Sequence, residues 1–214
     1  GDFRIRVGMM NPDWLAPIVN GMMDVLEDPR VYRFLHIPVQ SGSGSVLSAM
    51  KRGYTPEEYL SLVGNIRSRC PDVSISTDMI AGFPGETDED HRKSVDLLRV
   101  LNADTVNITR FSPRPGTKAA EMTQVNGRII KARSTELTDV KNEVELANNK
   151  KLVGRTFRVL VTEEGKEGSV IARTDNYRPV GIAEDIPLGT FCDAEITGCG
   201  PTYLIGRTLN NRSG

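Results

Sequence analysis

The sequence predicts an α/β protein: a partial parallel β/α barrel of about four β/α units, followed by a small all-β, OB-like barrel. Three observations carry this. Residues 1–149 alternate short apolar runs with stretches of helical spacing, the order that builds a parallel sheet covered by helices. From Arg155 onward no segment has helical spacing; five short strand-like runs, parted by glycine-bearing turns, occupy the remainder, as in small barrels. A closed eight-stranded barrel needs about twice the β/α content of the first part. The expected division is therefore 1–149 and 150–214. Because the chain begins almost inside its first strand, it reads as the later part of a longer protein.

The elements follow in order. Phe3 to Val7 reads as a strand. Pro12 to Leu26 has helical spacing in Leu15, Ile18, Val19, Met22 and Leu26, with Asn11 as N-cap and Pro12 in the first turn. Tyr32 to Val39 is a second apolar run, ending in Gln40-Ser41-Gly42-Ser43-Gly44, and a short helix fits Val46 to Met50. Thr55-Pro56-Glu57-Glu58 has the form of a capping box, and Pro71 closes the helix it opens. Val73 to Ile80 is a third strand, running into Gly82-Phe83-Pro84-Gly85-Glu86-Thr87. Thr87 then caps a helix whose first turn is acidic. Thr105 to Phe111 is a fourth strand. A helix from about Arg128 to Asn149 has a weak apolar stripe, which predicts one exposed face. The barrel strands are expected at Arg155–Val161, Gly168–Ala172, Pro179–Ile182, Thr190–Thr197 and Tyr203–Thr208.

Composition narrows the classes. Hydrophobic residues make up 38% of 214, with 20 glycines, and the net charge is −1 from 27 basic and 28 acidic residues. Such a chain buries a core and is not intrinsically disordered. No apolar run of about 18 residues signals a membrane span. With no overall basic excess, a nucleic-acid surface has to be local. Three cysteines, Cys70, Cys192 and Cys199, are too few for a disulfide scaffold and point to a reducing cytoplasm. Nor does their spacing make a metal site; Cys70 reads as a small core hydrophobe.

Ligands of parallel sheets bind beyond the carboxyl ends of the strands. Here those ends are rich in glycine, proline and hydroxyl residues. Gln40 and Ser41 can bond ribose-like hydroxyls. Asp78, in an otherwise apolar strand, is either a ligand-binding acid or a loop cap. Arg110 and Arg114 suit phosphate or carboxylate, or simple surface ion pairs. His36 reads as a structural histidine and His91 as solvated. No Walker loop, HExxH helix or Ser-His-Asp set is present.

Three blocks in order resemble the radical-SAM methylthiotransferases: His36-Ile37-Pro38-Val39-Gln40-Ser41-Gly42-Ser43 with Met50-Lys51-Arg52-Gly53-Tyr54-Thr55; Thr77-Asp78-Met79-Ile80-Ala81-Gly82-Phe83-Pro84-Gly85-Glu86-Thr87; and Phe111-Ser112-Pro113-Arg114-Pro115-Gly116-Thr117. The terminal barrel resembles the TRAM domain that follows in this family. The resemblance spans essentially the whole chain. Its archaeal or eukaryotic style implies addition of a methylthio group to C2 of N6-threonylcarbamoyladenosine at position 37 of tRNA. It also implies a parent enzyme with S-adenosylmethionine and two [4Fe-4S] clusters, one of them on a CxxxCxxC loop.

This chain has no CxxxCxxC. The expectation is therefore that it binds no cluster and is inactive alone. The resemblance maps Gln40 and Ser41 to the ribose of the cofactor, Asp78, Ile80 and Gly82 to its adenine, and Arg110 and Ser112 to the border of cofactor or tRNA base. The TRAM part implies a tRNA surface with Lys150, Lys151, Arg155, Phe157, Arg158, Arg173 and Arg178. From residue 150 onward nine basic residues face eight acidic ones, so placement and not total charge would make that surface. Two alternatives stay open: an RNA-binding module without catalysis, and a half-barrel enzyme for a phosphorylated small molecule held by Arg110, Arg114 and the Gly82–Thr87 loop. An open sheet edge also admits a homodimer.

Overall fold

The computed structural model of the chain describes residues 2–209. Strands β1 (Phe34–His36), β2 (Ser74–Ala81) and β3 (Thr105–Arg110) form a parallel sheet in the order β1-β2-β3. Alternation sends Leu35, Ile37, Ile75, Met79 and Val106 to the side covered by helices, in one core with Leu15, Leu47, Tyr59, Ile66, Leu98 and Leu137. Asp78, Ile80 and Asn107 fall on the opposite, open face; Asp78 and Asn107 are register partners. Among the described residues no helix is long and apolar enough to cross a membrane.

Helices α1 (Pro12–Leu15), α2 (Val19–Glu27), α3 (Gly44–Ala49), α4 (Pro56–Arg69) and α5 (Asp88–Leu101) fall in the expected places. The boxes at Thr55 and Thr87 form completely, each threonine accepting from the third helical N–H while Glu58 or Asp90 accepts from the cap. Two expectations fail. Phe3–Val7 is no continuous strand: the segment makes only isolated parallel bridges, Ile5 to Val31 and Met9 to His36, and Ile5 and Met9 are largely exposed. The sheet accordingly has three strands, not four. Pro12–Leu26 is no single helix, because Pro17 lacks an N–H; a 3-10 turn at Ala16–Ile18 separates α1 from α2.

After a short turn of helix, α6 (Lys118–Glu121), comes α7 (Gly127–Lys150). One face of it is exposed, as its weak apolar stripe predicts, with Arg128, Ala132, Thr135, Asp139, Glu143 and Ala147 turned to solvent. The buried side carries charges: Arg133 pairs with Glu86 at 2.8 Å, and Lys141 with Glu145 at 2.8 Å. Glu145 also accepts the Val106 N–H at 2.6 Å, tying α7 to β3. Burial pushes the Glu86 and Glu145 carboxyls up, against the pull of these partners.

The second part is a closed barrel of β4 (Thr156–Glu164), β5 (Val170–Thr174), β6 (Pro179–Ile182), β7 (Phe191–Cys199) and β8 (Leu204–Thr208), ordered β4-β5-β6-β8-β7. It has its own core of Val159, Val161, Ala172, Val180, Ile182, Ala194, Ile196 and Leu204. It docks against the amino ends of the sheet strands. Arg178 bonds Asp104 ahead of β3 and Asn149 at the end of α7. Asn149 donates on to the carbonyls of Gly200 and Pro201. The Arg33 N–H donates to Asp175 O at 2.9 Å, and the Tyr177 ring packs on Tyr32 and Phe34 with centroids 4.9 and 5.1 Å away.

Candidate functional site

The carboxyl ends of β1 and β2 build a rim from three connected pieces. Beyond β1 the chain stays paired to β2: the Gln40 N–H donates to Asp78 O and the Ile80 N–H to Gln40 O, at 2.8 and 2.9 Å. Gln40 holds a positive φ of 72° there, a conformation few non-glycine residues adopt. Its side-chain amide makes no hydrogen bond among the described residues.

Asp78 is the centre of the open face. Its Oδ1 accepts from His36 Nε2 at 2.9 Å and from Asn107 Nδ2 at 2.8 Å. A carboxylate only accepts, so the His36 ring carries its proton on Nε2. Three neighbouring strands thus each contribute one polar group, and Oδ2 is left without a partner among the described residues. His36 does have a structural partner, as expected; that partner is the carboxylate singled out as ligand-binding. Ile80 lies two residues on, on the same face and half-buried.

The loop after β2 is set from below by a buried acid. Glu86 Oε2 accepts the Gly82 N–H at 3.1 Å while its Oε1 meets Arg133. Gly82 has φ +78°, and a Cβ there would stand 2.4 Å from Ile130 of α7, so the position excludes side chains on two grounds. A second acid, Asp90, fixes the loop after β1: Ser43 and Ser45 donate to its Oδ1, and the Thr87 N–H and hydroxyl to its Oδ2. Burial pushes this carboxyl up, but those bonds together outweigh it and hold it well below the usual carboxylate range.

The other candidates sit elsewhere. The Ser41 hydroxyl is buried against α5, within 3.4 Å of Ser94 Oγ, and accepts the Ser43 N–H. Arg110 leaves the rim too: its Nε donates to Ser134 of α7 at 2.8 Å. Ser112 and Arg114 lie in an exposed loop, beside a Phe111–Phe83 edge contact at 5.2 Å. His91 is not solvated but buried, donating to Glu136 at 2.7 Å. Cys70 packs against the main core, and burial pushes its thiol up. Among the described residues no group of three or more His, Cys, Asp or Glu is placed to hold a metal ion.

The residues of the second part predicted to face RNA divide. Lys151, Arg155, Phe157, Arg158 and Arg178 line one cleft of about 480 Å³ at the junction with the sheet. Arg178 is committed to that junction, whereas Arg173 packs over Tyr177 at 4.7 Å and pairs with Glu163. Lys150 is exposed at the end of α7, outside the cleft. Sequence reasoning missed Asn107, because its partner lies 29 residues away, and the part taken by Arg33 and Tyr177 at the junction, for which no local signal exists.

Comparison with known proteins gives the chain its relatives. Residues 4–98 match the Radical SAM superfamily and residues 150–209 the TRAM domain. The chain is 45% identical over 207 residues to a protein of Archaeoglobus fulgidus named probable threonylcarbamoyladenosine tRNA methylthiotransferase, covering 97% of this chain and 48% of that protein. It is 36% identical over 207 residues to the threonylcarbamoyladenosine tRNA methylthiotransferase of Danio rerio, covering 96% and 38%. It spans about half the length or less of these curated relatives. Among solved structures, coproporphyrinogen III oxidase from Escherichia coli, a radical SAM enzyme, aligns with a TM-score of 0.53 at 14% identity, over 91% of this chain and 46% of that one, a likeness of fold. With two domain matches in the order its motifs run, and relatives aligned over nearly its whole length, the chain carries a Radical SAM part followed by a TRAM part and is similar to the threonylcarbamoyladenosine tRNA methylthiotransferases of archaea and eukaryotes.

Proposed function

We propose that this chain is the part of a tRNA methylthiotransferase that holds the adenosine end of S-adenosylmethionine and presents the tRNA, in an enzyme that adds a methylthio group to C2 of N6-threonylcarbamoyladenosine at position 37. The observation that carries the reading is the open-face cluster at Asp78: a carboxylate steered by His36 and Asn107, with one oxygen unbonded, beside the unpaired Gln40 amide. A free acceptor and a free amide at the end of a parallel sheet suit the ribose hydroxyls and purine edge of a nucleoside. Ile80 offers the purine an apolar contact, and Gly82 keeps the loop backbone close. The bound cofactor would supply the radical that opens the reaction. The cysteines that hold the clusters of such an enzyme would come from outside these residues, so the chain by itself is taken to be inactive. Its setting is taken to be the cytoplasm, where tRNA is modified.

The test is made on the full-length protein. Asp78→Asn should weaken S-adenosylmethionine binding about tenfold, since a charge-assisted hydrogen bond is worth about 1.5–3 kcal/mol. Mass spectrometry of tRNA nucleosides from cells carrying only that variant should show the methylthio product reduced and its unmodified precursor accumulated. Wild-type levels of product, or unchanged cofactor affinity, would sink the assignment of Asp78; absence of the product from cells carrying the wild-type gene would sink the reaction.

A further inference from the structure

The junction cleft has a chemistry that the docking of the two parts does not consume. Six of its sixteen lining residues are Arg or Lys and three are Asp, in a chain of net charge −1. Of the carboxylates, Asp104 is held by Arg178 and Asp175 by Arg4, while Asp72, exposed at the cleft's edge, has no ion pair among the described residues, so the uncommitted cations outnumber the one uncommitted acid. Two of the cations are left over, one from each part. Arg33, exposed just before β1, has no side-chain hydrogen bond or ion pair among the described residues; Arg155, exposed just before β4, has none either, and its guanidinium lies over the Phe157 ring at 5.2 Å. Lys151 reaches only a neutral amide, Asn148 Oδ1, at 3.0 Å.

From this we propose that the cleft carries the sugar–phosphate backbone of the RNA, with phosphates bridging Arg33 of the sheet part to Arg155 and Lys151 of the barrel part and the Arg155–Phe157 stack serving as a platform for a base. It rests on the tRNA reading above and gives the RNA a path the barrel alone does not supply. The arrangement suits a polyanion better than a free phosphate ion. Its spare cations belong to different domains and sit on an open cleft, and an aromatic face lies among them. Guanidinium–phosphate pairing and base stacking on aromatic or guanidinium planes are the two means by which proteins hold single-stranded RNA.

The experiment uses the whole 214-residue chain and a fluorescent anticodon stem–loop RNA, with affinity followed by anisotropy from about 50 to 200 mM salt, the range over which phosphate contacts are most visible. Arg33→Ala and Arg155→Ala should each weaken binding roughly 3- to 10-fold and lower the slope of log K against log salt by about 0.7–0.9, the contribution of one phosphate contact. Lys166→Ala, in the exposed turn between β4 and β5 outside the cleft, should change neither quantity. Circular dichroism on each variant checks folding, which neither exposed arginine supports.

If the wild-type chain binds the RNA and both arginine variants bind it equally well, the cleft is not the path, while the methylthiolation reading stands. If inorganic pyrophosphate displaces the RNA at matched phosphate concentration, the cleft is a small-anion site and the proposal fails. If the wild-type chain does not bind the RNA at 50 mM salt, the proposal fails as well, and the nucleoside analysis of the full-length enzyme decides the reaction separately.

Discussion

The two ends of the parallel sheet are built on opposite plans. At the carboxyl end, buried acids clamp loops to helices: Glu86 ties Gly82 to Arg133, and Asp90 ties Ser43 and Ser45 to Thr87. These clamps are spent on backbone position, and they leave Asp78 Oδ2 and the Gln40 amide uncommitted. At the amino end, Arg178, Asn149 and Tyr177 fasten the barrel to the sheet, and the uncommitted groups are cations at the margin of the joint. The difference teaches where binding capacity is kept. In both places most polar groups buried by the fold are occupied with each other, the Nε atoms of Arg133 and Arg178 being exceptions, and recognition is left to the few groups beside them. Substitutions in the clamps and in the joint therefore act first on stability, and their relative size measures how unequally the two ends are held.

The largest effect is expected at the rim. Arg133→Ala leaves Glu86 buried without its cation, a change that typically costs about 3–5 kcal/mol. Chemical denaturation at pH 7 would register it. The pH dependence supplies a sign. Burial already pushes the Glu86 carboxyl above its ordinary 4.5, and loss of Arg133 pushes it further. The protonated acid is the form the variant tolerates, so its deficit should shrink as pH falls toward 5 and grow as pH rises through the folded value. A deficit that is the same at pH 5 and pH 7 would show that Glu86 is not the source.

Next comes the joint. Arg178→Ala removes bonds to Asp104 and Asn149, worth about 2–3 kcal/mol for charge-assisted bonds at a half-buried site. Since the sheet part and the barrel have separate cores, the more telling readout is calorimetric. The parent chain should melt in one transition and the variant in two, the barrel melting apart from the sheet. An unsplit transition would mean that the Tyr177 contacts alone couple the parts.

Asp90→Asn sits third, at about 1.5 kcal/mol, because a neutral amide keeps some of the cap but loses the charge assistance of four bonds. In the parent chain the folded Asp90 carboxyl lies below its ordinary 3.8. Its contribution is then fully present above that value and drains away as pH falls below it. The variant should lack this acid limb, and a pair of stability–pH curves that stay parallel down to pH 2.5 would contradict the clamp.

How much of this the sequence carries depends on range. The box at Thr55 and the cap at Thr87 were legible because a capping residue stands directly before each helix, with its partner three residues on. The five barrel strands were legible because turn residues punctuate them. Pro17 was visible in the sequence, but apolar spacing on both sides of it hid the break it makes in the first helix. The exposed face of the long helix was legible in its weak apolar stripe, but the partners on its buried side were not: Arg133, Glu145 and Asn149 are buried, paired to groups more than 38 residues away or across the domain joint. His36, Asp78 and Asn107 meet only because three strands stand side by side, and nothing in the local sequence around any of them states that register. Asp78 was found as a misfit in an apolar strand; its two partners carry no such mark.

The smallest effect tests the joint where two terms oppose. Tyr177 holds φ at +68°, a left-handed conformation that costs an ordinary residue about 1–2 kcal/mol and that asparagine tolerates best among non-glycine residues. Its ring is half-buried between Tyr32, Phe34 and the guanidiniums of Arg6 and Arg173. Edge contacts between aromatic rings add about 0.5–1.5 kcal/mol beyond the apolar area they cover. Tyr177→Asn gives up the ring and recovers part of the backbone cost, so the net loss should be near 1 kcal/mol, smaller than for Arg178→Ala. Tyr177→Phe keeps ring and conformation and should be silent, since the hydroxyl has no hydrogen bond among the described residues. If Tyr177→Asn instead matched the cost of Arg178→Ala, the ring and not the ion pair would be the principal fastening of the barrel, and the amino end of the sheet would be held by packing where the carboxyl end is held by charge.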